Sequence, residues 1–213
     1  EYNEYLGASY ISVLSSSSVK EGVNVRLYTL IAFFFLMVLC FGGAIVFGRI
    51  GDIIDYVFYT DRMTGLSNRA YFDRYLKSKD KKLLDDGVVY SVLDIANLAA
   101  INNEYSHAAG DDIIKLFASY LKEAFGKTKP QFFYNGNGSF IIVSERTDYI
   151  TVEDILGMFR ARLDERDEFG NVKIEYRVGI AETFKENRTA RKLFAEAIRS
   201  KRSFVSDAVA EQK

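Results

Sequence analysis

Residues 131–144 read QFFYNGNGSFIIVS. Two runs rich in aromatic and β-branched residues flank Asn135-Gly136 and Asn137-Gly138. Such runs suit a pleated, half-buried strand, and Asn-Gly favours the positive φ values of a tight hairpin turn. The stretch is therefore expected to be an antiparallel hairpin. Working outward, residues 88–93 form an apolar run ending at Asp94, the pattern of a buried strand. Residues 173–181 alternate as a further strand. Residues 98–105 and 111–125 are expected as helices, the second with a core stripe of Ile113, Ile114, Phe117, Tyr120 and Leu121. Residues 151–163 and 189–202 read as helices too, as do residues 68–77, with Asn68 a candidate cap. Helices over a central sheet that contains an antiparallel hairpin make an α+β layer architecture.

Residues 27–47, LYTLIAFFFLMVLCFGGAIVF, carry no charge and lie between Arg26 and Arg49. About 20 apolar residues are needed to cross a ~30 Å hydrocarbon core. A buried globular helix seldom runs this long without one polar face, and a signal peptide has a shorter apolar core nearer a basic N-terminus. The segment is expected to be a single transmembrane helix. Gly42 and Gly43 are adjacent and do not make a GxxxG packing pattern, and Cys40 reads as a small apolar residue. Lys20 and Arg26 precede the span and Arg49, Arg62 and Arg69 follow it, a slight bias toward a cytoplasmic C-terminal side. The chain opens with Glu1 rather than Met, so upstream sequence is expected. Residues 5–14 alternate like a strand, and residues 1–26 are read as the end of an extracytoplasmic sensor domain. Residues 48–60 place Ile50, Ile53, Ile54, Val57 and Phe58 on one stripe of a linker helix. This helix is either a passive spacer or a dimerising rod, since the stripe is too short to fix a heptad register.

The 213 residues carry a net charge of -1. That length suits one soluble domain, here residues 61–205, with attachments and a tail at 206–213. Near-neutral balance gives no reason to expect a nucleic-acid partner, which would show as a basic surface. A single cysteine excludes an internal disulfide framework and a cysteine-rich zinc site.

Residues 61–69, DRMTGLSNR, resemble the D-x-L-T-G-L-x-N-R opening of GGDEF domains, the diguanylate cyclase family. Residues 94–117, DIANLAAINNEYSHAAGDDIIKLF, are similar to the same family's DIDxFKxxNDxxGHxxGDxxL block. The hairpin falls where the family carries its GGDEF turn, and residues 176–182 are similar to its next strand. The resemblance runs from Asp61 to about Phe204. It implies a nucleotidyl-cyclase-like sheet flanked by helices, and a cyclase that joins two GTP molecules into cyclic di-GMP across a dimer. In that chemistry a 3′-hydroxyl attacks an α-phosphorus while divalent ions neutralise the developing charge.

Mg²⁺ requires oxygen ligands, with carboxylates supplying charge. In the family these come from the first Asp of the DID element and an acid in the turn. Asp94 matches the first. The turn aligns as Gly136, Asn137, Gly138, Ser139 and Phe140, so both acidic positions are lost and Ser139 stands at the metal-binding Glu. Ala96 and Ala99 replace a second Asp and a Lys, and Asn103 stands where Asp is frequent. The family's inhibitory RxxD motif would fall at Lys127 and Pro130, so that site is expected to be absent. Asn102 and Asp111 match the positions that read guanine. Each also has a plain structural reading, Asn102 as a turn cap and Asp111 as an acid at a helix start, and Asp94 as a cap of the segment after it. His107 matches the family's GH, with Ser106 in place of Gly, and reads as a packed structural histidine. Lys201 and Arg202 suit a solvated helix end, with phosphate contact the alternative.

The sequence thus supports a degenerate GGDEF module, catalytically inactive, anchored in the cell membrane with its C-terminal domain cytoplasmic. No cofactor is required on this reading, and binding of GTP with Mg²⁺ is left open through Asn102 and Asp111. Expected partners are the membrane, a second copy through the transmembrane and linker helices, and an EAL phosphodiesterase or other output domain or protein. The competing reading is an active or weakly active diguanylate cyclase with rearranged metal ligands.

Overall fold

A computed structural model describes residues 16–126, 128–165, 172–184 and 188–206. Its elements in order are α1 (Ser16–Tyr59), β1 (Ser67–Asn68), α2 (Arg69–Lys79), β2 (Val88–Ile95), α3 (Leu98–Glu104) and α4 (His107–Ala124). They continue with β3 (Gln131–Gly136), β4 (Ser139–Glu145), α5 (Tyr149–Asp164), β5 (Ile174–Glu182), α6 (Ala190–Arg199) and β6 (Arg202–Ser206). The chain divides into two units, Glu1–Ile54 and Asp55–Lys213.

Most of the first unit belongs to α1. Within this helix Gly22–Tyr59 is long and apolar enough to cross a membrane, with mean hydropathy 2.8 over its most apolar window and none of that window buried. Large side chains such as Phe35, Leu39 and Phe47 are exposed there. The strand expected within residues 5–14 lies outside the described residues, as does the tail beyond Ser206.

In the second unit six strands form one sheet in the order β1-β3-β4-β2-β5-β6. The apolar run before Asp94 supplies its centre, because β2 pairs antiparallel with both β4 and β5. A strand covered on both faces should lack polar alternation, and Val88 to Leu93 are all buried. Val89, Leu93 and Ile95 join one core with α4, α5 and Ile101 of α3. Val88, Tyr90 and Val92 join a second core with Phe72, Tyr75 and Leu76 of α2 and Leu193 and Ala197 of α6. All five residues of the expected α4 stripe are buried in the first core.

β3 and β4 are the expected hairpin. Gly136 pairs with Ser139, so Asn137 and Gly138 are the two turn residues, at φ 50° and 71°. Positive φ at both central positions is what a two-residue type I′ turn requires. Several boundaries differ from expectation. α4 begins at His107, with Ser106 as N-cap accepting from Ala109 N–H at 3.1 Å. His107 is therefore exposed on the first turn rather than packed. α6 stops at Arg199 with Ser200 as its C-cap; of the other residues expected to extend it, Lys201 lies between the elements and Arg202 opens β6. Asn68 does cap α2, accepting from Tyr71 N–H, and its amide also donates to the Phe58 carbonyl at 2.7 Å.

Candidate functional site

The family-like opening folds as a turn held by its own side chains. Asp61 Oδ1 accepts from both the backbone N–H and the hydroxyl of Thr64, each at 2.8 Å. Gly65 takes φ 65°, and Lys122 donates to the Thr64 carbonyl at 3.0 Å.

At the hairpin-tip end of β2 the register sets Asp94 between Ser139 on β4 and Arg177 on β5. Ser139 Oγ donates to Asp94 Oδ1 at 2.7 Å. The second carboxylate oxygen, Oδ2, is paired with the Lys201 ammonium. Asp94 is thus an ion-paired strand residue and caps no helix. Lys201 is not on a solvated helix end: its side chain is 18% exposed and that of Asp94 16%. Arg202 beside it is exposed.

The placement of Lys201 has two causes. Ser200 Oγ accepts from the Ile180 N–H at 2.9 Å and donates to the Ile180 carbonyl at 2.8 Å, which bolts the end of α6 to β5. Gly179 lets them approach, since a Cβ there would lie 1.9 Å from the Ala197 carbonyl oxygen and 2.9 Å from Lys201 Cγ. A glycine inside a strand is a sign of such close approach, and this one was the available sequence signal for Lys201.

The hairpin tip is also fixed from within. Gly138 N–H donates to the Tyr134 hydroxyl at 3.2 Å, a residue that sequence reasoning did not single out. Burial pushes the Tyr134 phenol up, against the lowering effect of that N–H. A Cβ on Gly138 would sit 3.1 Å from a Leu98 methyl and 3.2 Å from Ile95 Cβ. An acid at this position therefore meets both a left-handed backbone and a packed neighbour.

The guanine-reading candidates lie across Leu98 from the tip. Asn102 is inside α3 and caps nothing; its Oδ1 is buried and has no hydrogen-bond partner. It faces Gly110 of α4, where a Cβ would be 1.8 Å from Oδ1 and 3.3 Å from the other Leu98 methyl. Asp111 follows on the second turn of α4, exposed, and so is not an acid at the helix start. Leu98 thus touches both the hairpin tip and the α3–α4 crossing, which brings the candidates to one end of the sheet. Pro130 precedes β3, and Lys127 lies outside the described residues.

Among the described residues no group of three or more His, Cys, Asp or Glu side chains is placed to hold a metal ion. Mg²⁺ takes near-octahedral oxygen ligation, and each Asp94 oxygen accepts from one protein donor, Ser139 on Oδ1 and Lys201 on Oδ2.

A family model for the diguanylate cyclase GGDEF domain matches residues 58–200. The chain belongs to the GGDEF family. Among curated relatives, diguanylate cyclase DgcS of Shewanella oneidensis is 32% identical over 85 residues, covering 39% of this chain and 29% of DgcS. An uncharacterised membrane protein of Staphylococcus haemolyticus is 33% identical over 85 residues, covering 39% and 24%. The matches thus span under a third of either relative. Diguanylate cyclase SiaD of Pseudomonas aeruginosa, solved with its activator SiaC, superposes with a TM-score of 0.61 at 15% identity, covering 87% of this chain and 75% of that one. The S helix-GGDEF-EAL part of Vibrio cholerae LapD, solved with bound c-di-GMP, gives 0.54 at 15%, covering 69% and 33%. At these identities the solved structures show a shared GGDEF fold, including its mixed sheet and flanking helices.

Proposed function

We propose that this GGDEF domain is a catalytically silent, membrane-anchored module of cyclic di-GMP signalling that keeps guanine-nucleotide binding but makes no product. The observation that carries the reading is the Asp94 carboxylate closed by Ser139 on one oxygen and Lys201 on the other. Cyclisation of two GTP needs dications beside the reacting phosphates, and a neutral hydroxyl adds no charge to hold them. Retained binding is supported by Asn102 and Asp111, which match the family positions that read guanine. Anchoring is supported by the apolar α1 and by the membrane relative. The working form on this reading is a homodimer joined through the transmembrane and linker helices, which passes its geometry to an output domain or partner. The LapD fragment, in which a GGDEF domain precedes an EAL domain, supports an EAL partner.

The competing reading, an active cyclase with rearranged ligands, shares the fold and differs in product. Expression of the full chain in a bacterium stripped of its own cyclases, with mass spectrometry of extracted nucleotides, separates the two. No rise in cyclic di-GMP is expected; a clear rise would establish the active cyclase.

A further inference from the structure

We propose that Lys201 is the site's built-in cation, so that this domain takes a guanine nucleotide without any divalent ion. The inference rests on the retained nucleotide binding proposed above and goes beyond it in naming what meets the phosphates. A dication held by two carboxylates and an ammonium held by one carboxylate both sum to zero local charge. The chain has lost one acid at Ser139 and placed one lysine on the remaining acid, Asp94. The lysine is placed by structure and not by chance. Gly179 leaves room for its stem, and Ser200 clamps the preceding residue to β5. Its side chain is largely enclosed and ends at the same sheet end as the hairpin tip. A partly desolvated ammonium is a compact donor with three N–H groups. Paired to one carboxylate it retains donors for phosphate oxygens, as lysines do in other phosphate sites.

Titration calorimetry of GTP into the full chain in detergent micelles, in excess Mg²⁺ and in EDTA, tests this. Equal affinity in the two buffers is expected. Lys201→Met should weaken binding ~10- to 100-fold, the scale of one charged hydrogen bond. Lys201→Arg, which keeps the charge, should retain most of the affinity. Asp94→Asn should tighten binding by several-fold, roughly up to tenfold, because it frees the ammonium and removes a carboxylate that repels phosphate. In a metal-held site the same change would weaken it. Heat only with Mg²⁺, equal losses in the Met and Arg variants, or weakening by Asp94→Asn would each overturn the inference while leaving the silent-module reading in place. No heat in either buffer would overturn this inference together with retained nucleotide binding. Cyclic di-GMP in the reaction mixture would instead sink the silent-module reading.

Discussion

At the scale of single residues, the account turns on charge at one strand end. Ser139→Glu would set a second carboxylate beside Asp94 and give the cluster a net negative charge. It is expected to gain Mn²⁺ binding, read as loss of the free-ion signal in electron paramagnetic resonance, and no such loss is expected for the native chain. An unchanged signal would show that charge is not what the site lacks. Gly179→Ala is expected to cost about 1–3 kcal/mol by overpacking, because the added carbon would lie 1.9 Å from the Ala197 carbonyl oxygen. Urea melts check it, and an unaltered midpoint would mean that α6 has freedom to move. Asp94 and Ser139 were singled out in the sequence through the family motifs, and strand register sets the two opposite each other. The placement of Lys201 was not legible, since its partner depends on where α6 ends, and an expected helix over 189–202 sent it into solvent.

Among the elements, the hairpin was the most legible, because Asn-Gly chemistry and its flanking strands point to the same turn. The ends of α4 and α6 were less so. Ser106 was read as the loss of a family glycine, yet its hydroxyl caps α4 and draws His107 into the helix. The two-residue β1 has too few residues for any period to show, and β6 forms only because β5 offers an open edge. Three buried phenols, on α2, β2 and the hairpin, carry a pH prediction. Burial raises the phenols of Tyr75, Tyr90 and Tyr134 above their ordinary range. Unfolded tyrosines ionise near about pH 10, while these remain neutral in the folded domain. Their stabilising contribution is therefore complete below that pH and is lost as pH rises through the folded values. Urea midpoints are expected to fall between about pH 9 and 11, and less steeply in Tyr134→Phe. That variant should also lose about 1–3 kcal/mol at neutral pH, the cost of leaving the Gly138 N–H unpaired. A midpoint flat across this interval would contradict the burial of all three phenols.

For the whole molecule, the sheet separates two packed layers, and the family motifs converge at one end of it. The fold was legible there because the apolar runs, the helix stripes and the hairpin agree with each other. The activity was not, because it depends on a few charges that the fold tolerates losing. The GGDEF domain has a core packed on both faces of the sheet, and the chain also has a helix apolar enough to cross a bilayer. The most direct measurement is incubation of the full chain in detergent micelles with radiolabelled GTP and either Mg²⁺ or Mn²⁺, followed by chromatography of the nucleotides. Unconverted GTP as the sole labelled species is expected, and accumulation of cyclic di-GMP with time and protein would contradict the account.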